Sequence, residues 1–213
     1  MKKIATLAWV IFGAALLMAD DYLIKTVKVQ PMESYPAQAS VGNVTIAADP
    51  YDTNKKSLTA FDVKKLNSSG YFPLHVIIQN GSSDFLKIHT RNIILITSSG
   101  QHLYTTPATL LVDDIGKAGM TSKIPLIGSD SAPGMGKEGS ALSDFSGKEL
   151  TNRTVDPGSV SDGFLFFFTP DPKINPFQGS TLYIPKLETE GTGKGIGPFS
   201  IALEPALTKP KKK

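Results

Sequence analysis

YFPLHVIIQN, residues 71–80, is the stretch that decides the fold class of this chain. Every second residue from Phe72 to Ile78 is apolar, while His75, Ile77 and Gln79 occupy the opposite face. This period of two is typical of a β-strand with one buried face. The sequence NGSSD at 80–84 then predicts a turn, because Asn and Gly tolerate positive φ. The stretch therefore predicts a strand that ends in a turn.

Similar patterns recur along the chain and predict further strands. The segment 163–169 is apolar on both faces, which is typical of a central strand that is covered on both sides. The tight turn at 98–101 predicts a hairpin. The other predicted strands are 22–29, 44–48, 91–98, 102–105, 181–187 and 199–203.

The predicted helices are short and few, at 53–61, 107–115 and 141–150. Parallel α/β folds need long amphipathic helices between their strands, and this sequence has none. We therefore predict an all-β fold. It would be an immunoglobulin-like antiparallel β-sandwich of about seven to eight strands with short helical insertions.

The first nineteen residues predict a secretory signal peptide. Lys2 and Lys3 precede an apolar run that ends at Ala19, and Asp20 opens a polar sequence. Cleavage after Ala15 and retention of the run as an anchor are the alternatives, although the run is short for the ~20 residues of a membrane span. We expect a periplasmic or extracellular protein.

The remaining organisation follows from composition. The chain has no cysteine, so its core must hold it together without disulfides. We expect a single β-sandwich domain over residues 20–204, with a flexible Gly-rich insertion at 128–140. A disordered Lys-rich tail would follow at 205–213.

The charge of the folded body argues against nucleic acid as a partner. The formal charge of the whole chain is +3, with 22 basic and 19 acidic residues. Six of the basic residues are lysines of the predicted signal and of the tail, which leaves the body slightly acidic. A nucleic-acid interface needs positive charge on the folded surface.

Two sets of strand and turn residues resemble known bacterial families. The strand 72–80 ending in Asn-Gly-Ser, and the turn 155–158 before the apolar strand 163–167, resemble the telokin-like group of exported bacterial immunoglobulin-like domains. The stretches 49–61 and 70–80 resemble a group of uncharacterised exported bacterial proteins. The resemblance spans roughly residues 42–204. It implies a fold and carries over no catalytic residue.

No motif for catalysis, a metal or a cofactor stands out. His75, His89 and His102 lie in or near neighbouring strands, but nothing aligns them as a metal site. The glycine-rich runs at 134–137 and 191–195 lack the sequence of a phosphate-binding loop. Helix capping and solvation explain the acidic pairs 113–114 and 49/52 at least as well as acid–base catalysis or calcium binding would. We therefore predict no cofactor and no metal.

The predicted function is that of a non-enzymatic exported β-sandwich that binds another protein or a cell-envelope component. The insertion, with Met135 and Lys137, would order on binding. The cluster of phenylalanines at 164–168, with Phe145 and Phe177, would either fill the core or form an exposed groove for a partner. The alternatives are a cell-wall-directed hydrolase with an unrecognised carboxylate pair, and an assembly subunit that pairs through a strand edge.

Overall fold

The computed structural model describes residues 22–117 and 138–208. In these residues the protein is mostly β-structure, with three antiparallel four-stranded sheets and three short helices. The predicted signal peptide at 1–19 lies outside the described residues, as do 209–213 of the predicted tail.

The strands and helices are numbered along the chain. The strands are β1 (Gln38–Val41), β2 (Val44–Pro50), β3 (Tyr71–Asn80), β4 (Leu86–Ile88), β5 (Ile94–Ile96), β6 (His102–Leu103), β7 (Arg153–Val155), β8 (Val160–Phe168), β9 (Thr181–Ile184), β10 (Leu187–Thr189), β11 (Gly195–Ile196) and β12 (Phe199–Ala202). The helices are α1 (Asn54–Ala60), α2 (Ala108–Lys117) and α3 (Glu138–Lys148). The first sheet has the order β1-β2-β3-β8, the second β11-β10-β4-β7 and the third β12-β9-β5-β6.

Strand β3 matches the prediction for residues 71–80 and lies at the centre of the first sheet. It pairs with β2, where Ile46 lies opposite Ile78, and with β8, where Leu165 lies opposite Leu74. The alternate residues from Phe72 to Ile78 face inward and are buried. Their face forms the main core together with apolar residues of the other two sheets. The opposite face is buried as well, since every residue from Tyr71 to Ile78 is buried, so the expectation of a single buried face was wrong.

The opposite face of the first sheet, here called the outer face, carries a second core. The three helices supply side chains to it, among them Ala60, Val112 and Phe145. The Phe61 ring lies at the centre of this core, stacked on Phe145 with their centroids 4.3 Å apart. Phe164 of β8 meets the same ring edge-on at 5.0 Å. The helices therefore cover one face of the sheet.

Strand β8 is covered on both faces, as its sequence predicted, but it is not a central strand. It is the last strand of the first sheet. Its outer edge is occupied by two short pieces of chain: Thr106 N–H donates to the carbonyl of Phe166 at 2.7 Å, and Leu150 N–H donates to that of Phe164 at 2.8 Å. The prediction of a central strand was wrong, because an apolar sequence indicates that both faces of a strand are buried and does not indicate where the strand lies in its sheet.

The predicted strand at 22–29 is also wrong. Residues 22–31 have no regular secondary structure, and with the following residues to Ala37 they form a segment here called the N-terminal segment. Tyr22 and Tyr35 are buried near its two ends. Tyr22 joins the second core, and Tyr35 packs with Ala47 and Ile77. The segment thus lies against the outer face without pairing as a strand.

The predicted number of strands was too low and the predicted tail began too early. The additional strands, such as β4, β7 and β11, have only two or three residues, which is too short for a detectable period. At the other end, the N–H of Thr208 donates to Asp52 at 2.9 Å, and its hydroxyl donates to the same carboxylate at 2.5 Å. The ordered chain therefore continues past residue 204, at least to Thr208.

Candidate functional site

Two openings lie between the N-terminal segment and the outer face of the first sheet. The larger opening, here called the cleft, has a volume of about 530 Å³. It is bordered by residues 24–27, by α3 from Ser143 to Lys148, and by residues of β7 and β8. A second opening of about 390 Å³ lies under residues 29–33, and Asp162 borders both.

His75 and Asp162 lie between the two openings. The His75 ring is buried, with its Nε2 2.7 Å from a carboxylate oxygen of Asp162, and it stacks on Phe164 with centroids 4.6 Å apart. Asp162 is 39% exposed. The sheet register explains the pair, because Asp162 lies opposite Ile77, two residues from His75 on the same face.

A buried network connects the N-terminal segment to α3 at one wall of the cleft. The Tyr22 hydroxyl donates to Asp144 at 2.7 Å, and Lys148 lies 2.6 Å from the other oxygen of that carboxylate. Burial, followed by the hydrogen bond to Asp144, raises the pKa of Tyr22 well above its ordinary value of 10. Lys148 also donates to the carbonyl of Ala60 at 2.7 Å. Asp144 is therefore compensated by two partners.

A second ion pair holds the same stretch of the segment. Lys25 lies 3.4 Å from Asp62, whose carboxylate also accepts the N–H of Leu23 at 3.1 Å. Lys25 donates in addition to the carbonyl of Leu58. These contacts fix residues 22–25 against the loop that follows α1.

Arg153 differs from the lysines that border the cleft, because its hydrogen bonds go only to neutral oxygens and, among the described residues, it pairs with no carboxylate. It donates to the carbonyl of Glu149 at 3.1 Å and to that of Asp162 at 3.3 Å. A longer contact of 3.5 Å reaches the hydroxyl of Ser161. These bonds span from the end of α3 to β8 and hold the guanidinium in place at the border of the cleft.

Glu149 follows α3 and meets the beginning of α2. Its side chain accepts the N–H of Ala108, the first residue of α2, at 3.2 Å. Burial raises the pKa of Glu149, although the hydrogen bond from Ala108 opposes that effect. The charged form thus has a desolvation cost in the folded protein.

An aromatic surface lies at the far end of β8, away from residues 160–164 at the cleft. The isolated bridge between Thr105 and Phe167 places Tyr104 opposite Phe168. Tyr104 is 66% exposed and Phe168 is 44% exposed. The ring of Phe168 is supported from below by Tyr71, with centroids 5.1 Å apart. Tyr104 and Phe168 are here called the aromatic patch.

The predicted partner-binding residues divide into two groups. Met135 and Lys137 lie outside the described residues, as does most of the predicted insertion, whereas its last residues begin α3. Phe145 and Phe177 are fully buried, Phe145 in the second core and Phe177 in the main core. Their side chains fill space between layers, so in this structure neither offers a surface to a partner.

The histidines and acidic pairs are dispersed. His89 lies near Glu188 at 3.3 Å, while His102 is exposed on β6. Asp114 accepts the hydroxyl of Tyr71 at 2.5 Å, and burial, followed by this bond, raises the pKa of Tyr71. Within residues 22–117 and 138–208, no three histidine or carboxylate side chains are grouped so as to hold a metal ion.

Sequence reasoning missed the cleft, because its walls come from distant parts of the chain. The polar residue Asp162 at the start of an otherwise apolar strand was the available signal. Arg153, one of two arginines in the chain, gave no motif to recognise. In the part of the chain that the structure describes, no helix is long and apolar enough to cross a membrane.

Comparison with known proteins identifies no family. No protein-family model matches the chain, and no curated protein matches it. Among solved structures, the chain is similar to the yjhA protein of Bacillus subtilis, with 11% identity, 70% of this chain and 78% of that one covered, and a TM-score of 0.37. The ycdA protein of Bacillus subtilis is 15% identical over 81% of this chain and 40% of its own, with a TM-score of 0.39.

A functionally unknown protein of Listeria monocytogenes is also similar, at 13% identity over 76% of this chain and 80% of its own, with a TM-score of 0.33. These neighbours are bacterial proteins of low identity. At such TM-scores the likeness carries no argument about activity, so function has to be argued from the residues of this chain.

Proposed function

We propose that the protein is an exported, non-enzymatic binding module. Its fold would be an immunoglobulin-like β-sandwich, and its place would be the periplasm or the cell exterior. The apolar run that follows Lys2 and Lys3 supports export. The partner would be another protein or a component of the cell envelope. We infer that it is a protein, because the aromatic patch exposes two aromatic side chains.

The observation that carries the proposal is the pair of exposed aromatic side chains, Tyr104 and Phe168. Aromatic residues are enriched where protein interfaces bind most strongly, because they bury a large area and lose little conformational entropy. Phe168 is the last residue of β8 and pairs with Tyr71, which supports its ring, and Tyr104 directly precedes Thr105, which forms a bridge with Phe167. A partner would therefore meet a rigid apolar surface.

Cross-linking in the producing cells tests this proposal. The tagged protein is cross-linked gently, and the species that elute above monomer size are identified by mass spectrometry. We expect one recurrent partner with the wild type, and its loss with the variant Tyr104→Ser/Phe168→Ser. The control is Ile174→Ser, which removes an apolar side chain of similar exposure, 59%, from a loop outside the patch.

Two outcomes would contradict the aromatic patch as the binding surface. The first is a partner that the double variant retains as well as the wild type. The second is a partner that the Ile174→Ser control loses to the same extent, since the effect would then not depend on the patch. A monomer without any partner would contradict the binding function itself.

A cell-wall-directed hydrolase is the second candidate, and one observation favours it. Two carboxylates, Asp144 and Asp162, border the same cleft, as an acid–base pair would. Against it, Asp144 is already bonded to Tyr22 and Lys148, and Asp162 is bonded to His75. Incubation of the purified protein with cell-wall fragments should release no product, and turnover that Asp162→Asn abolishes would favour the hydrolase.

A further inference from the structure

The cleft beneath the N-terminal segment has a charge pattern that the proposed partner binding does not use. Its border contains Lys25, Lys148 and Arg153 together with Asp144 and Asp162. These residues are separate from the aromatic patch, so an inference about the cleft does not depend on the proposed function.

Four of the five charged side chains have compensating partners. Lys148 pairs with Asp144 at 2.6 Å, and Lys25 pairs with Asp62 at 3.4 Å. Asp162 is bonded to His75. Arg153 is the exception: among the described residues it makes no ion pair, and its hydrogen bonds go to two backbone carbonyls and a hydroxyl.

The geometry of Arg153 suits an external anion. A guanidinium has five N–H donors, so bonds to three neutral oxygens leave donors for a ligand. The carbonyls of Glu149 and Asp162 hold the group from two sides, so little entropy would be lost when it binds. The side chain is half-buried, and a cation there is screened less by salt than one on an open surface.

We propose that the cleft is a binding site for a small organic anion, with Arg153 as the residue that holds its carboxylate or phosphate group. The forked donors of arginine match two oxygens of either group. Thr26 and Ser143, which carry hydroxyl groups, border the same opening, as do the apolar residues Ile24, Val27 and Phe164. A volume of about 530 Å³ is within the range of small-molecule sites.

A titration of the ¹⁵N-labelled full chain tests the site. Inorganic phosphate and acetate are added in separate series at constant ionic strength, because surface charges respond to salt alone. We expect saturable shifts of backbone resonances at 24–27, 143–148 and 153–163. Saturation with phosphate alone would identify a phosphate-bearing ligand, and saturation with acetate alone would identify a carboxylate.

Variants test whether the anion binds at Arg153 in the cleft. Arg153→Gln should weaken binding by roughly tenfold or more, since it removes a charge-assisted hydrogen bond. Lys173→Gln is the control, because it also removes one positive charge, and Lys173 is exposed in the loop beyond the end of β8 that is remote from the cleft. Ser143→Asp places a carboxylate at an exposed position in the border of the cleft and should abolish binding without removing any core contact.

The proposal is overturned if the shifts are linear in anion concentration with both probes. It is also overturned if Ser143→Asp binds as well as the wild type, a result that can be read even if Arg153→Gln fails to fold. Equal weakening by Lys173→Gln would assign the effect to general surface charge.

Discussion

The replacement Tyr22→Phe tests whether the N-terminal segment is docked as the structure shows. The hydroxyl of Tyr22 donates to Asp144 at 2.7 Å and accepts the N–H of Asp62 at 3.3 Å. Phenylalanine keeps the ring, which is buried in the second core, and removes only these two bonds. The variant therefore isolates the polar part of the contact.

The size of the effect follows from the partners of the hydroxyl. A hydrogen bond to an ionised group contributes roughly 1.5–3 kcal/mol, and one between neutral groups about 1 kcal/mol. Asp144 keeps Lys148 at 2.6 Å, so the variant does not leave a buried charge without a partner. We expect a loss of about 2–3 kcal/mol in the free energy of unfolding. For a chain of this size that corresponds to a fall in Tm of roughly 4–12 °C.

Thermal unfolding at pH 7, followed by circular dichroism, measures the fall. The control is Tyr104→Phe, which makes the same chemical change on an exposed side chain and should alter stability by less than about 0.5 kcal/mol. If the two variants have the same Tm, the hydroxyl of Tyr22 is not engaged in solution. The docking of the segment, and with it one wall of the cleft, would then be refuted.

Three further predictions concern packing and ionisation. Gly163→Ala should lower Tm, because the added Cβ would lie 2.8 Å from the backbone of Leu150. Gly147→Ala in α3 has free space for the Cβ and should raise Tm, since alanine favours a helix over glycine by ~1 kcal/mol; thermal unfolding of both variants checks this. Absorbance at 295 nm should show four of the six tyrosines ionising above the ordinary pKa of 10, with Tyr51 near pH 12. Because a raised pKa favours the protonated form in the folded protein, the contribution of these tyrosines to stability should fall as the pH rises above 10. Glu149→Gln should raise Tm at pH 7 and not at pH 4, because burial penalises only the charged carboxylate. The contribution of Glu149 to stability therefore falls as the pH rises above 4.5, and an equal effect of the variant at both pH values would contradict this.

The elements with strong periodicity were predictable from the sequence. Strand β3 has the predicted limits, and α1 begins after Thr53, whose hydroxyl accepts the N–H of Lys56 at 3.2 Å as a helix cap. The hairpin between β5 and β6 forms around Gly100, which has a φ of +81°. In these cases the residues that determine the structure are neighbours in sequence, so the pattern contains the information.

The remaining features depend on contacts between distant residues, which no local pattern contains. Phe145 and Phe177 gave an apolar signal, but whether such a ring is buried or exposed depends on which layer lies above it. For Phe145 that layer includes Phe61, more than eighty residues earlier in the chain. The irregular N-terminal segment is another example, because its branched residues suggested a strand while its fixed points are Tyr22 and Tyr35.

The position of the cleft can be understood from the outer face of the first sheet. Two apolar groups lie on that face: the second core beneath the helices, and the smaller cluster of Tyr35, Ala47 and Ile77. His75 and Asp162 lie between these groups, so the apolar surface is interrupted there. The N-terminal segment has buried anchors at both ends but cannot pack closely over a polar pair, and the two openings lie at this interruption. A polar ring as deeply buried as that of His75 is uncommon in a sheet that is otherwise apolar, so the pair is itself a reason to search for function at the cleft.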